Sequence, residues 1–259
     1  MLFSIVTVCF NSSQTLARTI DSILGQCFKD YEYIIVDGGS TDGTLDIIRS
    51  YESRFEGRLS WISEKDNGIY DAFNKGVKMA AGEYVWIVNS DDYLTPDALE
   101  NLAAVISEYP DHPIISAAAY SRNAKEEIIG EIYYDESMLP GLMEEDSLAF
   151  VHPATLISRQ TYSRIGLYDE RYVIAGDLDL SRRAWLAEEK IIYPRIFITN
   201  MSTGGISDGL NLKTNIRDRR LYFSKFYPQG SSRRFYRWLR FYIQGWVKKI
   251  VLRTLHISK

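Results

Sequence analysis

The sequence predicts an α/β fold with a mostly parallel sheet flanked by helices. Apolar segments of four to eight residues alternate with amphipathic helical segments over the first 90 or so residues. A cluster of polar residues follows each apolar segment, at the edge where open parallel sheets bind their ligands. These two observations together indicate a doubly wound, Rossmann-like arrangement.

The predicted strands of this first part are apolar throughout, as strands buried on both faces of a parallel sheet are. They lie at residues 3–10, 33–36, 59–63 and 84–88. Helices are predicted between them from their periodicity and capping residues, at residues 14–24, 44–53 and 68–81. The strand at the N-terminus has no basic start and no small-residue cleavage site, so it is interpreted as a strand and not as a signal peptide.

The second half of the chain has a less regular pattern. Strands are predicted at 114–120, 128–134 and 152–157, a helix at 177–186, and a glycine-rich loop at 201–209. We expect one domain over 1–210, with a first half at about 1–92 and a second half at about 93–210. Residues 211–259 form a separate C-terminal extension in this interpretation.

Charge is distributed unevenly along the 259 residues, although the net charge is only −4. Residues 211–259 contain 13 Lys and Arg and a single acid, whereas residues 1–210 contain 17 basic and 33 acidic residues. An acidic body with a basic tail indicates an anionic partner for the tail. The two cysteines, Cys9 and Cys27, fit neither a metal site nor a disulfide framework, which favours a reduced, cytoplasmic setting.

Polar side chains follow the four strands of the first part. Asn11, Asp37 and Asp66 come after the first three strands, and Asp91 and Asp92 come after the fourth. Turns are also rich in Asp and Asn, so a single cluster would carry no function. Four clusters at equivalent strand ends favour a nucleotide site at this edge of the sheet.

Four blocks of the sequence, in this order, resemble the family 2 glycosyltransferases, and most closely those of bacterial surface polysaccharide assembly. The blocks read SIVTVCFNSSQTLARTIDSIL, IIVDGGSTDGT, SEKDNGIYDAFNKGVKMAAGEYVWIVNSDD and HPATLISRQTYSRIGLYDERYVIAGDLDL. The resemblance covers roughly residues 3–207. It implies a GT-A fold, a nucleotide-diphosphate sugar donor, transfer with inversion and a divalent metal, Mn²⁺ or Mg²⁺. Residues 1–210 would then be the catalytic domain, with a nucleotide-sugar half at about 1–92 and an acceptor half at about 93–210.

The resemblance also implies roles for individual residues. The nucleotide would contact Thr7, Phe10, Asn11, Asp37, Asp66, Asn67, Gly68 and Ser90. Asp91, supported by Asp92, would hold the metal, and Asp177 would be the general base that takes the proton of the acceptor hydroxyl. The nucleotide is expected to be UDP, because UDP-sugars are frequent in the family.

Two positions depart from the family pattern. Asn89 replaces the first acid of the metal motif, and an amide is a weaker ligand than a carboxylate for such a hard cation. Gly176 replaces the acid before the general base, so that Asp177 lacks an acidic neighbour that would raise its pKa.

Several assignments stay open on the sequence alone. His152, Gly205 and Ser207 could contact the acceptor or the diphosphate, or could be a structural histidine and an ordinary loop. Asp177 could instead be a helix-start acid, whereas Asp179 is expected to pair with Arg183 four residues later. The lysines at 75 and 78 are interpreted as a solvated helix face.

The tail has a basic, aromatic and amphipathic pattern over 233–257. Apolar residues recur there at steps of three and four, with basic residues between them. This pattern is typical of an interfacial membrane helix, which would bring the enzyme to a lipid-linked glycan at the inner face of the cytoplasmic membrane. Packing of the stripe on the catalytic domain is the alternative. No recognised nucleic-acid module accompanies the charge, so a nucleic acid partner is not expected.

Three alternative functions differ from this interpretation in the residues that they require. A sugar nucleotidyltransferase would need a glycine-rich basic loop after the first strand, and a nicotinamide-dependent dehydrogenase would need G-x-G-x-x-G there; the residues at 9–13 match neither. A nucleotide-sugar-binding membrane adaptor without activity is compatible with Asn89 and Gly176. The leading prediction is a glycosyltransferase that extends a bacterial surface glycan.

Overall fold

The computed structural model of the chain describes residues 1–203 and 212–230, together with residues 232 and 239. The chain divides into two units, Met1–Gly209 and Leu210–Lys259. Within the described residues, no helix combines the length and the apolar composition that crossing a membrane requires.

The first unit begins with the alternation of strands and helices that the sequence predicts. Its strands are β1 (Phe3–Cys9), β2 (Tyr31–Asp37), β3 (Leu59–Ser63) and β4 (Tyr84–Ile87). The helices between them are α1 (Leu16–Leu24), α2 (Thr44–Tyr51) and α3 (Ile69–Met79). The α/β class is confirmed, and the element ends differ from the sequence-based ones by two residues or fewer.

The remainder of the described chain contains shorter elements. The strands are β5 (Tyr93–Leu94), β6 (Ile114–Ser116), β7 (Ala118–Arg122), β8 (Ile128–Ile132), β9 (Thr155–Ser158), β10 (Ile191–Ile192) and β11 (Phe197–Ser202). The helices are α4 (Ala98–Glu108), α5 (Leu139–Glu144), α6 (Arg159–Ile165) and α7 (Gly176–Leu186), with α8 (Leu212–Phe226) in the second unit. The amphipathic stripe at 233–257 lies outside the described residues, apart from Leu239.

The strands of the described chain form two sheets. The larger sheet has the order β10-β6-β9-β4-β1-β2-β3, with β4, β1, β2 and β3 parallel to one another and β9 antiparallel to β4 and β6. The smaller sheet has the order β5-β11-β7-β8. The parallel strands therefore end together at one edge, and the loops that follow them meet there.

The prediction of one strand over 114–120 is wrong, because the chain passes from the larger sheet to the smaller sheet within this segment. Ala117 separates β6, which pairs with β9, from β7, which pairs with β11. The Ala117 N–H donates to the Ala154 carbonyl oxygen at 2.9 Å, and the next N–H donates to the Ile196 carbonyl oxygen at 2.9 Å. An apolar run alone does not reveal such a switch, because both sheets bury this segment.

The strand predicted at 152–157 also begins later than expected. His152–Ala154 forms a 3-10 turn, and the strand starts at Thr155. Pro153 accounts for the difference, because its fixed φ suits the first positions of a helical turn and its missing N–H cannot join a ladder.

The core of the first unit lies between the larger sheet and its helices. α1 buries Leu16, Ile20 and Ile23, whose spacing of three and four places them on one face. Trp86 of β4 is fully buried, and its indole N–H donates to the Pro153 carbonyl oxygen at 3.0 Å. Burying side chains of this size stabilises the fold by about 1.5–3 kcal/mol each.

Helix α3 lies very close to β1, because Gly76 faces the strand. A Cβ atom at position 76 would lie 2.2 Å from Cγ1 of Val6. The absence of a side chain therefore sets the distance between the helix and the central strand.

We expect Gly76→Ala to lower the free energy of unfolding by about 1–3 kcal/mol, the cost of overpacking a core. Gly141→Ala, in α5, is the matched control because a Cβ atom there meets nothing within 4 Å. Chemical denaturation measures both. Equal stability of the two variants would contradict the close packing of α3 on β1.

Candidate active site

The loops after β1 and β2 hold each other in place. The Asn11 N–H donates to the Ser40 hydroxyl at 2.7 Å, and the Asn11 side-chain oxygen accepts the Thr41 N–H at 2.9 Å. Asn11 has a φ of 50°, in the left-handed region that Asn tolerates better than most residues. Asn11 thus shapes the edge of the site through its backbone and its side chain.

Asp37 ends β2 and is fully buried. Its carboxylate accepts the backbone N–H groups of Gly39 and Ser40, each at 3.0 Å, and the hydroxyl of Ser63 at 2.6 Å. Burial raises the pKa of Asp37, but hydrogen bonds from Ser40, Ser63 and Gly39 outweigh burial and hold the pKa below its ordinary value. Asp37 is therefore an ionised group that organises the loop.

An aromatic ring and a carboxylate both lie close to Gly38. Phe10 is 64% exposed, which is unusual for a side chain of this size at the end of a buried strand. A Cβ atom on Gly38 would lie 2.8 Å from Oδ2 of Asp66 and 3.4 Å from Cδ2 of Phe10. An exposed ring beside hydrogen-bond acceptors suits a flat polar group such as a nucleobase. Thr7, by contrast, is fully buried within β1.

Lys75 of α3 is the centre of an ion-pair cluster, so its interpretation as a solvated residue is wrong. Its ammonium lies 2.6 Å from Asp66, 3.0 Å from Glu64 and 3.2 Å from Asp71. The side chain is only 17% exposed. Helical spacing places Lys75 beside Asp71. Only the folded chain brings Glu64 and Asp66, in the loop after β3, to the same ammonium. Lys78, on the same helix, is exposed as expected.

The cluster fixes the loop that joins β3 to α3. Burial raises the pKa of Asp66, and the hydrogen bond and charge of Lys75 counteract this effect. The Asn67 N–H donates to Asp71 at 2.9 Å, and Gly68 has a φ of 122° where the chain turns into the helix. Asn67 and Gly68 are both exposed at the start of α3.

The segment after β4 is held from both sides. Thr19 of α1 donates its hydroxyl to the carbonyl oxygens of Ser90, at 3.0 Å, and Asp92, at 2.7 Å. The Ser90 hydroxyl lies 2.9 Å from that of Ser12, next to Asn11. The ends of β1 and β4 are thereby in contact, so that Ser90 and Asn11 belong to one edge.

Asp91 and Asp92 have different surroundings. Asp92 is buried, and its carboxylate accepts the Ser202 N–H at 3.0 Å and the Asn89 side-chain amide at 3.3 Å. Burial and the neighbouring charge of Asp91 raise the pKa of Asp92 to about 7. The Asp91 carboxylate is partly buried and accepts no hydrogen bond from another residue in the described part of the chain.

Arg18 is a basic residue of this region that the sequence analysis missed. Its guanidinium donates to the Asp91 carbonyl oxygen at 2.9 Å and to the Ser202 hydroxyl at 3.1 Å, and it lies 4.4 Å from the centre of the Tyr93 ring. Glu126 pairs with it. In the sequence, Arg18 is only one basic residue on an amphipathic helix, and such a residue does not by itself indicate a binding site.

The donor set around the metal motif supports a site with one free carboxylate. No group of three or more His, Cys, Asp or Glu residues that could hold a metal occurs among the residues that the structure describes. Asp91 offers its oxygens freely, whereas Asn89 and Asp92 are engaged with each other. Such an arrangement fits Mg²⁺ or Mn²⁺ when a bound diphosphate supplies the other ligands.

A second group of predicted residues lies around the start of α7. Asp177 is in the first helical turn, partly exposed, and its carboxylate accepts the Leu178 N–H at 2.8 Å. Asp179 is fully buried, with the Arg183 Nε at 2.8 Å, so the predicted Asp179–Arg183 pair is confirmed. Of the two acids, Asp177 is the one with exposed surface.

His152 belongs to an aromatic cluster near Asp177. Its Nε2 lies 3.0 Å from the Tyr168 hydroxyl, and its ring stacks on Phe73 with centres 5.4 Å apart. Burial lowers the pKa of His152, and the charge of Asp177 opposes this shift. The imidazole is therefore neutral at pH 7. The charge of Asp177 also contributes, after burial, to the raised pKa of Tyr134.

The glycine-rich segment is only partly described. Met201 and Ser202 belong to β11, where a loop was expected. Gly205 and Ser207, the expected diphosphate or acceptor contacts, lie outside the described residues.

The family model described as Glycosyl transferase family 2 matches residues 4–165 of the chain. A PGL/p-HBAD biosynthesis glycosyltransferase of Mycobacterium tuberculosis is 31% identical over 189 residues, which cover 71% of this chain and 70% of that protein. The chain belongs to glycosyl transferase family 2. The family resemblance is thus confirmed, and the chain is a glycosyltransferase.

Solved structures share the fold of this family 2 glycosyltransferase. S. aureus TarS 1–349 in complex with UDP-GlcNAc has a TM-score of 0.69 and 21% identity, over 86% of this chain and 66% of that chain. The mannosyltransferase PcManGT of Pyrobaculum calidifontis, in complex with GDP-Man and Mn²⁺, has a TM-score of 0.65 and 19% identity, over 88% of this chain and 65% of that chain. The predicted GT-A fold is confirmed.

Lys75→Met is expected to lower the free energy of unfolding by about 1–3 kcal/mol at pH 7, because it leaves the partly buried carboxylates of Asp66 and Asp71 without their cation. Lys78→Met, on the exposed face of the same helix, is the control. Because the penalty requires ionised carboxylates, the difference between the variants should shrink as the pH falls through the titration of Asp66, whose pKa is raised. Denaturation at pH 7 and pH 4 tests this, and a pH-independent difference would contradict it.

Proposed function

We propose that the chain transfers a sugar from a UDP-sugar to a hydroxyl of a bacterial surface glycan, with inversion at the anomeric carbon. One observation carries the proposal: the loops after β1, β2, β3 and β4 meet at one edge, where the exposed Phe10 ring and the Asp66 carboxylate both lie close to Gly38. The similar TarS fold binds UDP-GlcNAc, which supports a uridine nucleotide as the donor carrier.

The donor-binding residues divide by chemistry. Phe10 would stack on the nucleobase, and Asp66 would accept a hydrogen bond from the nucleoside. Asn11, Asp37 and Ser90 would hold the loops in position around it. Asn67 and Gly68 would line the turn that closes the site, and Thr7 would support the strand from within. A ribose or base group that donated a hydrogen bond to Asp37 would join the donors that Asp37 already has from Gly39, Ser40 and Ser63.

A divalent cation would be held by Asp91, with Asp92 as support. When bound, the cation neutralises the negative charge that grows on the leaving diphosphate. The Asp91 carboxylate is the free acceptor of the motif, and burial raises its pKa. A cation beside Asp91 would therefore offset the free-energy cost of burying the charged form of this carboxylate. PcManGT, of similar fold, was solved with Mn²⁺.

Asp177 is the general base in this proposal. An acceptor hydroxyl must lose its proton as it attacks, and a carboxylate from a segment other than the donor loops can approach from the opposite face. Asp177 is partly exposed at the start of α7, whereas Asp179 is buried in its pair with Arg183. Direct displacement by that route inverts the anomeric carbon. His152, neutral beside this helix, is available to contact the acceptor.

The acceptor is proposed to be lipid-linked, and the C-terminal extension to bring the enzyme to it. The chain would then comprise a catalytic domain at 1–210 and a basic extension at 211–259 that lies on the inner face of the cytoplasmic membrane. The backbone of Gly205 and Ser207, near the end of the catalytic domain, would contact the diphosphate or the acceptor. The similar mycobacterial protein takes part in PGL/p-HBAD biosynthesis.

The donor class is tested by thermal unfolding with UDP, GDP, dTDP and CDP, each with and without Mn²⁺. UDP is expected to raise the melting temperature most, and Mn²⁺ to enlarge the shift, because a ligand that binds only the folded state stabilises it. Asp91→Asn should abolish the Mn²⁺ increment, whereas Asp97→Asn, an exposed acid at the start of α4, should retain it. No shift with any nucleotide would contradict the donor site and favour a nucleotide-independent role.

Asp177→Asn is expected to reduce transfer by about 10²–10⁴-fold, the usual contribution of a general base. Its UDP-induced stabilisation should equal that of the wild type, because the residue is not in the donor loops. Glu188→Gln, at the other end of α7 and exposed, is the control and should keep full activity. Nucleotide release from the donor, measured with a glycan acceptor, gives the rates; an unimpaired Asp177→Asn would contradict the assignment.

The tail is tested by sedimentation with lipid vesicles that contain about one third anionic lipid. Each basic residue near such a surface contributes about 1 kcal/mol, so replacing four of them should abolish binding. The four replaced by Gln are Arg237, Arg240, Lys248 and Lys249. The control replaces four exposed lysines of the first unit: Lys65, Lys78, Lys125 and Lys190. Equal binding by both variants would contradict the membrane role.

A further inference from the structure

The ring of Tyr70 lies directly against the backbone of Gly176, the residue before Asp177. A Cβ atom on Gly176 would lie 2.6 Å from Cζ, 2.7 Å from Cε1 and 2.8 Å from Cε2 of Tyr70. No real Cβ contact is that short, so the ring takes the space that a side chain at 176 would need. Tyr70 is 4% exposed and therefore cannot swing away into solvent.

Tyr70 is held on its other sides by rigid neighbours. Its ring stacks on Tyr168, with centres 5.6 Å apart and an angle of 16°, and meets the edge of Phe73 at 5.7 Å. Tyr168 is fixed in turn by buried Asn74, whose side chain accepts the Tyr168 N–H and donates to the Tyr168 carbonyl oxygen, both at 2.9 Å. A buried side-chain amide that satisfies both backbone groups of one residue leaves that residue little freedom.

The same helix shapes the donor side of the site. Asp71, adjacent to Tyr70, accepts the Asn67 N–H, and Lys75 pairs with Asp66. Helix α3 therefore contacts the donor loop through its polar residues and the start of α7 through Tyr70. One rigid element spans the two halves of the candidate active site.

We propose that Tyr70 is a positioning residue: it sets the distance of Asp177 from the donor by bracing the first turn of α7 at Gly176. This inference rests on the proposed function, because it assumes Asp177 as the base. The three atoms nearest to a Cβ position at 176 are ring carbons, so the ring makes the shortest contact with Gly176. A displacement of about 1 Å in a reacting group can cost on the order of 10²-fold in rate.

The test is steady-state kinetics of sugar transfer with the full-length chain. Tyr70→Leu removes all three ring atoms that approach Gly176, and it should lower kcat by about 10²-fold with the KM for the donor changed by less than about threefold. Tyr70→Phe keeps the three ring carbons that approach Gly176 and should therefore have a clearly higher kcat than Tyr70→Leu. Tyr51→Leu, another buried tyrosine, on α2, is the control for a general loss of packing and should keep kcat.

Gly176→Ala keeps the inference decidable if Tyr70→Leu unfolds, because it disturbs the same contact from the α7 side, and an unchanged kcat in Gly176→Ala would overturn the inference. Gly176→Ala should lower kcat, because its Cβ displaces the ring or the helix, and adding Tyr70→Leu to it should cause no further loss, since both changes disturb one contact. Equal kcat in Tyr70→Leu and wild type, or additive losses in the double variant, would overturn the inference and leave the proposed function intact. Absence of transfer by the wild type would instead contradict the proposed function, and this inference with it.

Discussion

The close packing of α3 on β1 at Gly76 is the constraint on which the rest of the site depends. Because no side chain separates helix and strand there, α3 has one depth and one orientation on the sheet. From that position Lys75 reaches the loop after β3, and Tyr70 reaches the start of α7. A shift of this helix would therefore disturb the donor loop and the candidate base together.

The carboxylates at the sheet edge are stabilised in different ways, and this difference divides their roles. Asp37 is stabilised by hydroxyl and N–H donors, Asp66 by an ion pair, and Asp92 by Ser202 and Asn89. Asp91 is left as the carboxylate with no such partner within the described chain. Asp91 is for this reason the acid proposed to hold a divalent cation, because its oxygens have no donor from another described residue to exchange for the metal.

The sequence predicted the features that depend on local pattern. The four apolar segments became the parallel strands, and the Asp179–Arg183 pair formed as helical spacing implies. It missed features created by contacts between distant segments. Lys75 appears as a solvated helix residue until the loop after β3 is placed beside it, and Ala117 hides a change of sheet within an apolar run. In the sequence, Gly176 only marks a position where the family has an acid. In the structure it contacts Tyr70, which lies more than a hundred residues earlier in the chain.

The most direct test of the central claim, that four loops form one nucleotide site, is hydrogen–deuterium exchange of the full-length chain with and without UDP and Mn²⁺. We expect slower exchange together in the segments 10–13, 37–41, 64–68 and 89–92, with no change in α4, which contacts β11 of the smaller sheet. Protection confined to one of these segments, or located in α4, would contradict it.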